Sequence, residues 1–335
     1  MIISPDNPVT NTIGSGVTEE GILEAIIKSG YPLQMKIVSK LVSKFGLQEE
    51  WSYIDRDTQE LRTLDILATK ELCDLEKDKD QPRVRPILNM LIECKQSTLP
   101  LVFFLSSSEP WILDFPFISG LSKDYISIES DDSNSTWQQP IVRLLGLNKH
   151  DFITKAPALS KTFSKCIRKG NNLELSGTDS FNGLVFPLIK AATYFNKSQT
   201  PPKTALYFDC NISLAVGVVD APMIGVRVKE DGNELISLPW VRVLRHESEE
   251  LQNDKYIDRA KTYAIDIVHK DFFQEYVDMH VLPFAKEFSR LILKHSNVIA
   301  TGHCFVKCME ENWASDLEPI LQKISKSKRS KRTSK

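Results

Sequence analysis

Asp65, Glu93 and Lys95 are the residues of this sequence whose types and spacing could do chemistry. Asp65 sits inside an apolar run, among Leu64, Ile66, Leu67 and Ala68. Glu93 and Lys95 close another, after Ile87, Leu88, Met90, Leu91 and Ile92. Burying a carboxylate costs several kcal/mol, on the order of its desolvation penalty, unless it is paired or holds a metal. Side chains alternate faces along a strand, so Glu93 and Lys95 share one face and Cys94 points the other way, into apolar packing. If the two runs pair as strands, Asp65 meets Glu93 and Lys95 on that face. Carboxylate oxygens suit Mg²⁺, which takes one or two of them together with waters and a substrate phosphate. The lysine can hold a water near the phosphate and stabilise the charge that develops there. Such an arrangement suits hydrolysis of a phosphodiester. The competing reading is a solvated strand end carrying a Glu–Lys ion pair. The position of Asp65 within its run, not at an end, weighs against it.

These residues need a hairpin and a third strand to position them. Residues 51–57 read as a first strand, 57–60 as a turn and 61–69 as a second strand. A charge-rich loop over 70–85 leads to a third strand, 86–96, and a short apolar run at 101–105 reads as a buried strand. Two helices precede the hairpin. The first covers 21–29, with Thr18 as its N-cap, acids at its positive end and Gly30 as its stop. The second covers 32–45, with Pro32 in its first turn and an apolar stripe of Leu33, Ile37, Val38, Leu41, Val42 and Phe45; Gly46 is a natural residue to follow it. Gln34 lies in the first turn of this helix. Arg62 reads as an exposed strand residue, with a phosphate contact as the alternative, and Arg83 and Arg85 are expected near the site entrance.

Asp65 followed by Glu93-Cys94-Lys95 resembles the PD-(D/E)XK nuclease superfamily, the restriction-endonuclease-like fold. The phrases GYPLQ, SYIDRDTQELRTLDILA and LIECKQSTLPLVFF resemble a group of bacterial proteins with that core. The resemblance covers about residues 15–110 and is thin beyond. It implies an α/β fold, a mixed central sheet flanked by helices, and a Mg²⁺- or Mn²⁺-dependent endonuclease acting on nucleic acid, DNA first. Asp65 and Glu93 would hold the metal, with the carbonyl of Cys94 completing the set, and Lys95 would position the attacking water. The resembling group usually carries a glutamate where this chain has Gln34. A neutral amide is a poorer cation ligand, which keeps a second reading in play: a non-catalytic module of the same fold that binds nucleic acid or a protein. A homodimer is left open.

The 335 residues are enough for one large or two ordinary domains. The expected division is a nuclease-like core at 15–110, an α/β continuation or accessory domain at 111–322, and a disordered basic tail at 323–335. In the second half, 157–168, 181–196 and 272–295 read as helices, with kinks at Pro187 and Pro283. Residues 203–210, 214–220, 224–228, 235–245 and 262–269 read as strands, and 106–140 as irregular connections. The tail, KISKSKRSKRTSK, suits either a nucleic-acid backbone or a solubilising role. The formal net charge of −2 does not mark the whole chain as a polyanion binder. Six scattered cysteines point to reduced thiols in a cytoplasm, and His303, Cys304 and Cys308 read as packed groups more readily than as zinc ligands. No run suits a membrane helix or a secretory signal. Serine-hydrolase, P-loop and dinucleotide-binding patterns are absent.

Overall fold

The computed structural model describes residues 2–73, 81–106, 115–123, 125–130, 136–155, 158–177, 181–247 and 261–306. The fold is mixed α/β, with a large mixed sheet flanked by helices. Helices α1 (Glu19–Lys28) and α2 (Tyr31–Leu41) lead into strands β1 (Gly46–Ile54), β2 (Leu61–Glu71), β3 (Val84–Gln96) and β4 (Leu101–Leu105). Short strands β5 (Phe117–Ser119), β6 (Tyr125–Ser130) and β7 (Thr136–Pro140) follow, then helical turns α3 (Ile141–Leu144) and α4 (Asp151–Thr154). Strands β8 (Leu159–Lys169) and β9 (Asn172–Ser176) precede a π-helical turn, Phe181–Val185, that runs into α5 (Phe186–Ser198). Strands β10 (Phe208–Asp220), β11 (Met223–Lys229), β12 (Gly232–Ser237), β13 (Trp240–Glu247) and β14 (Lys261–His269) come next. Helices α6 (Phe273–Glu275), α7 (Leu282–Lys294) and α8 (Ser296–Thr301) and strand β15 (His303–Val306) complete the described chain.

Twelve strands form one sheet in the order β1-β2-β3-β10-β14-β13-β8-β4-β11-β12, with β5 beside β10 and β9 beside β8. Strands from before and after residue 110 therefore share one sheet. Its centre is the parallel pair β3–β10, in register from Val84–Phe208 to Gln96–Asp220. Both strands are apolar and buried almost throughout, as a strand covered on both faces must be. One face packs under α2, α7 and α8, through Ile37, Leu41, Met90, Ile92, Phe284 and Phe288. The other packs under α5, through Leu67, Leu91, Ala215, Leu188 and Ile189. A smaller sheet has the order β15-β6-β7.

Several expected elements are corrected. In the helix expected at 157–168, residues 159–168 belong instead to strand β8, paired with β4, β9 and β13. Ser160 and Ser164 are buried there beside Phe163 and Cys166, so both faces are covered and helical spacing of the larger apolar residues is accidental. The first strand begins at Gly46, not at 51, and α2 ends at Leu41. The strand expected at 203–210 begins only at Phe208 and runs on without a break through 214–220, because the polar residues between are buried in the sheet: Asn211 accepts from Asn89 Nδ2 at 2.9 Å. Residues 235–245 are two strands that meet at Leu238-Pro239, and 106–140 contains β5, β6 and β7. The helix expected at 272–295 is present as one continuous helical run, made of α6, a π-helical turn at Tyr276–Val281 and α7, with the π turn directly before Pro283. Cys308 and the basic tail lie outside the described residues, as do parts of the loop 70–85. Among the described residues no helix is long and apolar enough to cross a membrane.

Candidate active site

The hairpin β1–β2 and the strand β3 bring Asp65 to the end of a ladder. The antiparallel β2–β3 pairing runs from Glu71–Ile87 to Ile66–Ile92 and stops there. Asp65 stands one step beyond the last pair. Its Oδ2 accepts from the backbone N–H of Cys94 at 2.6 Å, so a side-chain oxygen takes a donor that the ladder leaves over. In an extended strand the N–H and C=O of one residue leave the same edge. The Cys94 carbonyl therefore leaves β3 on the Asp65 side, while its thiol lies in the core under α2 and α7. Burial, with the negative charges of Asp65 and Glu93, pushes that thiol well above its ordinary range.

Glu93 is only 6 % exposed, which rules out a solvated strand end. Its Oε1 accepts from Lys95 Nζ at 2.7 Å, and its Oε2 is buried with no hydrogen-bond partner. Burial first, then the charge of Asp65, raise the Glu93 carboxyl from 4.5 to about 7 against the pull of Lys95 and of the Asp65 backbone N–H. Asp65 is raised as well, by burial and by Glu50, against the Cys94 N–H and Lys95. Burial pushes the Lys95 ammonium down, but Glu93 and Asp65 outweigh it and its pKa is raised. Two carboxylates and one half-exposed ammonium therefore meet at the open end of β3.

The face above them is built by α5. Gly217 of β10 lies opposite Glu93 in the ladder, and a Cβ there would come within 2.9 Å of Leu184. The absence of a side chain lets the π-helical turn close over β10 beside Glu93. Tyr53 donates to the carbonyl of Pro187 at 3.3 Å, and Lys190 pairs with Asp55 at 2.7 Å and Asp57 at 3.2 Å. These contacts tie α5 to the β1–β2 hairpin. Burial, Glu93 and Asp55 together push the Tyr53 phenol up to about 12, so it stays protonated.

Gln34 reaches the site from the first turn of α2. Its Nε2 donates to the Asp65 carbonyl at 3.1 Å and to Glu50 Oε1 at 3.1 Å. Glu50 is absent from the expected set because the first strand is expected to begin after it. No motif marks it; the doublet Glu49-Glu50 before an aromatic strand is the one cue. Arg62 is half exposed and pairs with Glu60 at 2.8 Å, as an exposed strand residue would. Arg83 and Arg85 are corrected. They flank the start of β3, where Arg85 pairs with Asp209 at 2.6 Å. At the rise of an extended strand Arg85 lies about 26 Å from Glu93, so neither arginine borders the site entrance.

Asp65, Glu93 and the Cys94 carbonyl fit a hard divalent cation by the chemistry of their oxygens, and the unpartnered Glu93 Oε2 is a buried acceptor without a donor. Among the described residues no group of three or more His, Cys, Asp or Glu converges to hold a metal. A cation here would rest on two carboxylates, backbone oxygen and water, within the usual habit of Mg²⁺. No family model, no curated protein and no solved structure matches the chain.

Proposed function

We propose that the protein is a metal-dependent nuclease that hydrolyses phosphodiester bonds, DNA first, on a restriction-endonuclease-like core. The observation that carries the proposal is the buried, unpartnered Oε2 of Glu93 beside Asp65 and Lys95. The sequence resemblance of Asp65 and Glu93-Cys94-Lys95 supports the same reading. A bound Mg²⁺ or Mn²⁺ supplies an acidified water and neutralises phosphate charge. Asp65, Glu93 and the Cys94 carbonyl would hold it.

The remaining steps belong to side chains. Lys95 is held protonated by Glu93, so it does not act as a base; it hydrogen-bonds a phosphate oxygen and the incoming water and offsets the charge that builds in the transition state. The water oxygen bonds to phosphorus as the bond to the leaving sugar oxygen breaks; the attacking water gives up a proton to solvent, and the leaving oxygen takes one from solvent water. Asp65 is oriented by the Cys94 N–H and Glu93 by Lys95, so neither needs to reorganise during the reaction.

The test incubates the protein with supercoiled plasmid or single-stranded DNA in Mg²⁺, Mn²⁺ or EDTA, beside Asp65→Ala and Lys95→Ala. Metal-dependent nicking lost in both variants is expected, with a fall of at least about a hundredfold. Cleavage that survives Asp65→Ala sinks the assignment. DNA retarded in a gel but never cut favours the non-catalytic binding module, the reading that the neutral amide of Gln34 supports.

A further inference from the structure

Four observations meet at Glu50. It lies in the middle of β1 yet has φ +49°, a left-handed conformation that side chains other than glycine and asparagine rarely take. The β1–β2 ladder passes it by: Glu49 pairs with Ile66 and Trp51 with Leu64, with no pair between Glu50 and Asp65. One nitrogen of Gln34, a residue only 5 % exposed, donates both to Glu50 Oε1 and to the Asp65 carbonyl. The Glu50 side chain is exposed to solvent. A left-handed kink that only bent an edge strand would be served better by glycine. The strained backbone instead turns a carboxylate toward Asp65, beside a buried Glu93 whose Oε2 has no donor.

We infer that Glu50, held by Gln34, is the third carboxylate of the cation site and acts on Mg²⁺ or Mn²⁺ from beyond direct ligand distance. The inference rests on the nuclease reading. No three acidic or other ligating side chains converge among the described residues, so Glu50 contributes charge and accepts hydrogen bonds from water that such cations retain. Gln34 is then a positioning residue. A glutamate at 34 would repel Glu50, whereas the amide donates to it and orients it.

The test is calorimetric titration of Mn²⁺ into the full chain without nucleic acid. Glu50→Gln and Glu50→Gly are expected to weaken Mn²⁺ binding by about tenfold or more, and Gln34→Ala by several-fold. Glu50→Gly is also expected to raise the melting temperature, since glycine adopts the positive φ without strain, so its loss of affinity does not report unfolding. Mn²⁺ binding at wild-type strength in either Glu50 variant, with binding lost in Asp65→Ala, overturns the role of Glu50 and leaves the nuclease reading standing. A wild-type chain that neither binds Mn²⁺ nor cuts DNA overturns both.

Discussion

Two clusters of buried charge sit on the same sheet and are built in opposite ways. Between β13 and β14, Arg242 and Asp266 form a two-pronged pair at 2.7 and 2.9 Å. Tyr276 donates to Asp266 at 2.8 Å, and Arg242 donates a further bond to the Phe152 carbonyl at 2.9 Å. The guanidinium lies against the rings of Phe115 and Phe152, at 4.3 and 4.7 Å. Neither charge reaches solvent. At the other cluster Asp65 lies in a gap of both its ladders and Glu93 keeps one oxygen with no partner. The difference teaches that burial alone does not mark a functional charge. A network whose donors and acceptors are matched holds the fold, and one with acceptors left over is prepared for something that arrives later.

The sharpest way to break the comparison is to remove one acid from each cluster. Asp266→Ala strands the Arg242 guanidinium in the core, and a broken buried pair costs about 3–5 kcal/mol. Urea unfolding should show a midpoint lowered accordingly. Should Asp266→Ala leave the midpoint unchanged, the matched cluster is not what holds β13 to β14.

Glu93→Gln should move the other way. Its carboxyl lies at about 7 in the fold against an ordinary 4.5, so folding favours the protonated form. Below 4.5 the group is protonated in both states and imposes no penalty. As pH rises from 4.5 to about 7 the unfolded chain loses this proton while the fold holds it, so stability falls, and above 7 the fold carries the buried charge at full cost. Metal-free Glu93→Gln should therefore be more stable than the parent at pH 8, by up to roughly 3 kcal/mol. That advantage should shrink as pH falls from 7 toward 4.5. Thermal unfolding across this range in EDTA checks it, and a variant less stable than its parent at pH 8 would show that Glu93 is a satisfied structural acid after all.

What was legible in the sequence follows the same division. Asp65, Glu93 and Lys95 stand out because a charge inside an apolar run is a one-dimensional signal. The inward turn of Cys94 follows from strand alternation alone. Glu50 could not be found that way. Its importance rests on a backbone turn to φ +49° and on a partner, Gln34, sixteen residues earlier in another element. Strand β8 reads as a helix in the sequence because its buried serines look polar there; its partners β4 and β13 decide its conformation from far away in the chain. The long strand β10 reads as two strands separated at 211–213 for the same reason. Thr69, Asn89 and Asn211 carry a chain of hydrogen bonds through the sheet, and no single one of them announces it. Arg242 and Asp266 likewise gave no local sign of pairing.

A third ion pair lies between the extremes and should show the smallest effect. Asp55 is buried, but Lys190 is partly exposed at 29 %, and the pair borders solvent where α5 meets the hairpin. Asp55 has other support: the backbone N–H of Asp57 donates to it at 2.9 Å, and Arg62 stands 3.8 Å away. Burial would raise Asp55, but the hydrogen bonds from Lys190 and the backbone win, and its pKa is lowered. A lowered carboxylate gives stability above its ordinary 3.8 that is lost as pH falls through the folded value. Lys190→Met keeps the stem that packs along α5 and removes only the charge. With the backbone donor retained and solvent near, the loss should be about 1 kcal/mol at pH 7, and it should vanish at a pH below the folded value. A loss as large as that of Asp266→Ala would place this pair with the matched core network, and would make the join between α5 and the hairpin part of what folds the protein. A small loss leaves α5 held mainly by its apolar face, through Leu188, Ile189 and Ala192, with the ion pair setting only where Lys190 stands over the end of the hairpin.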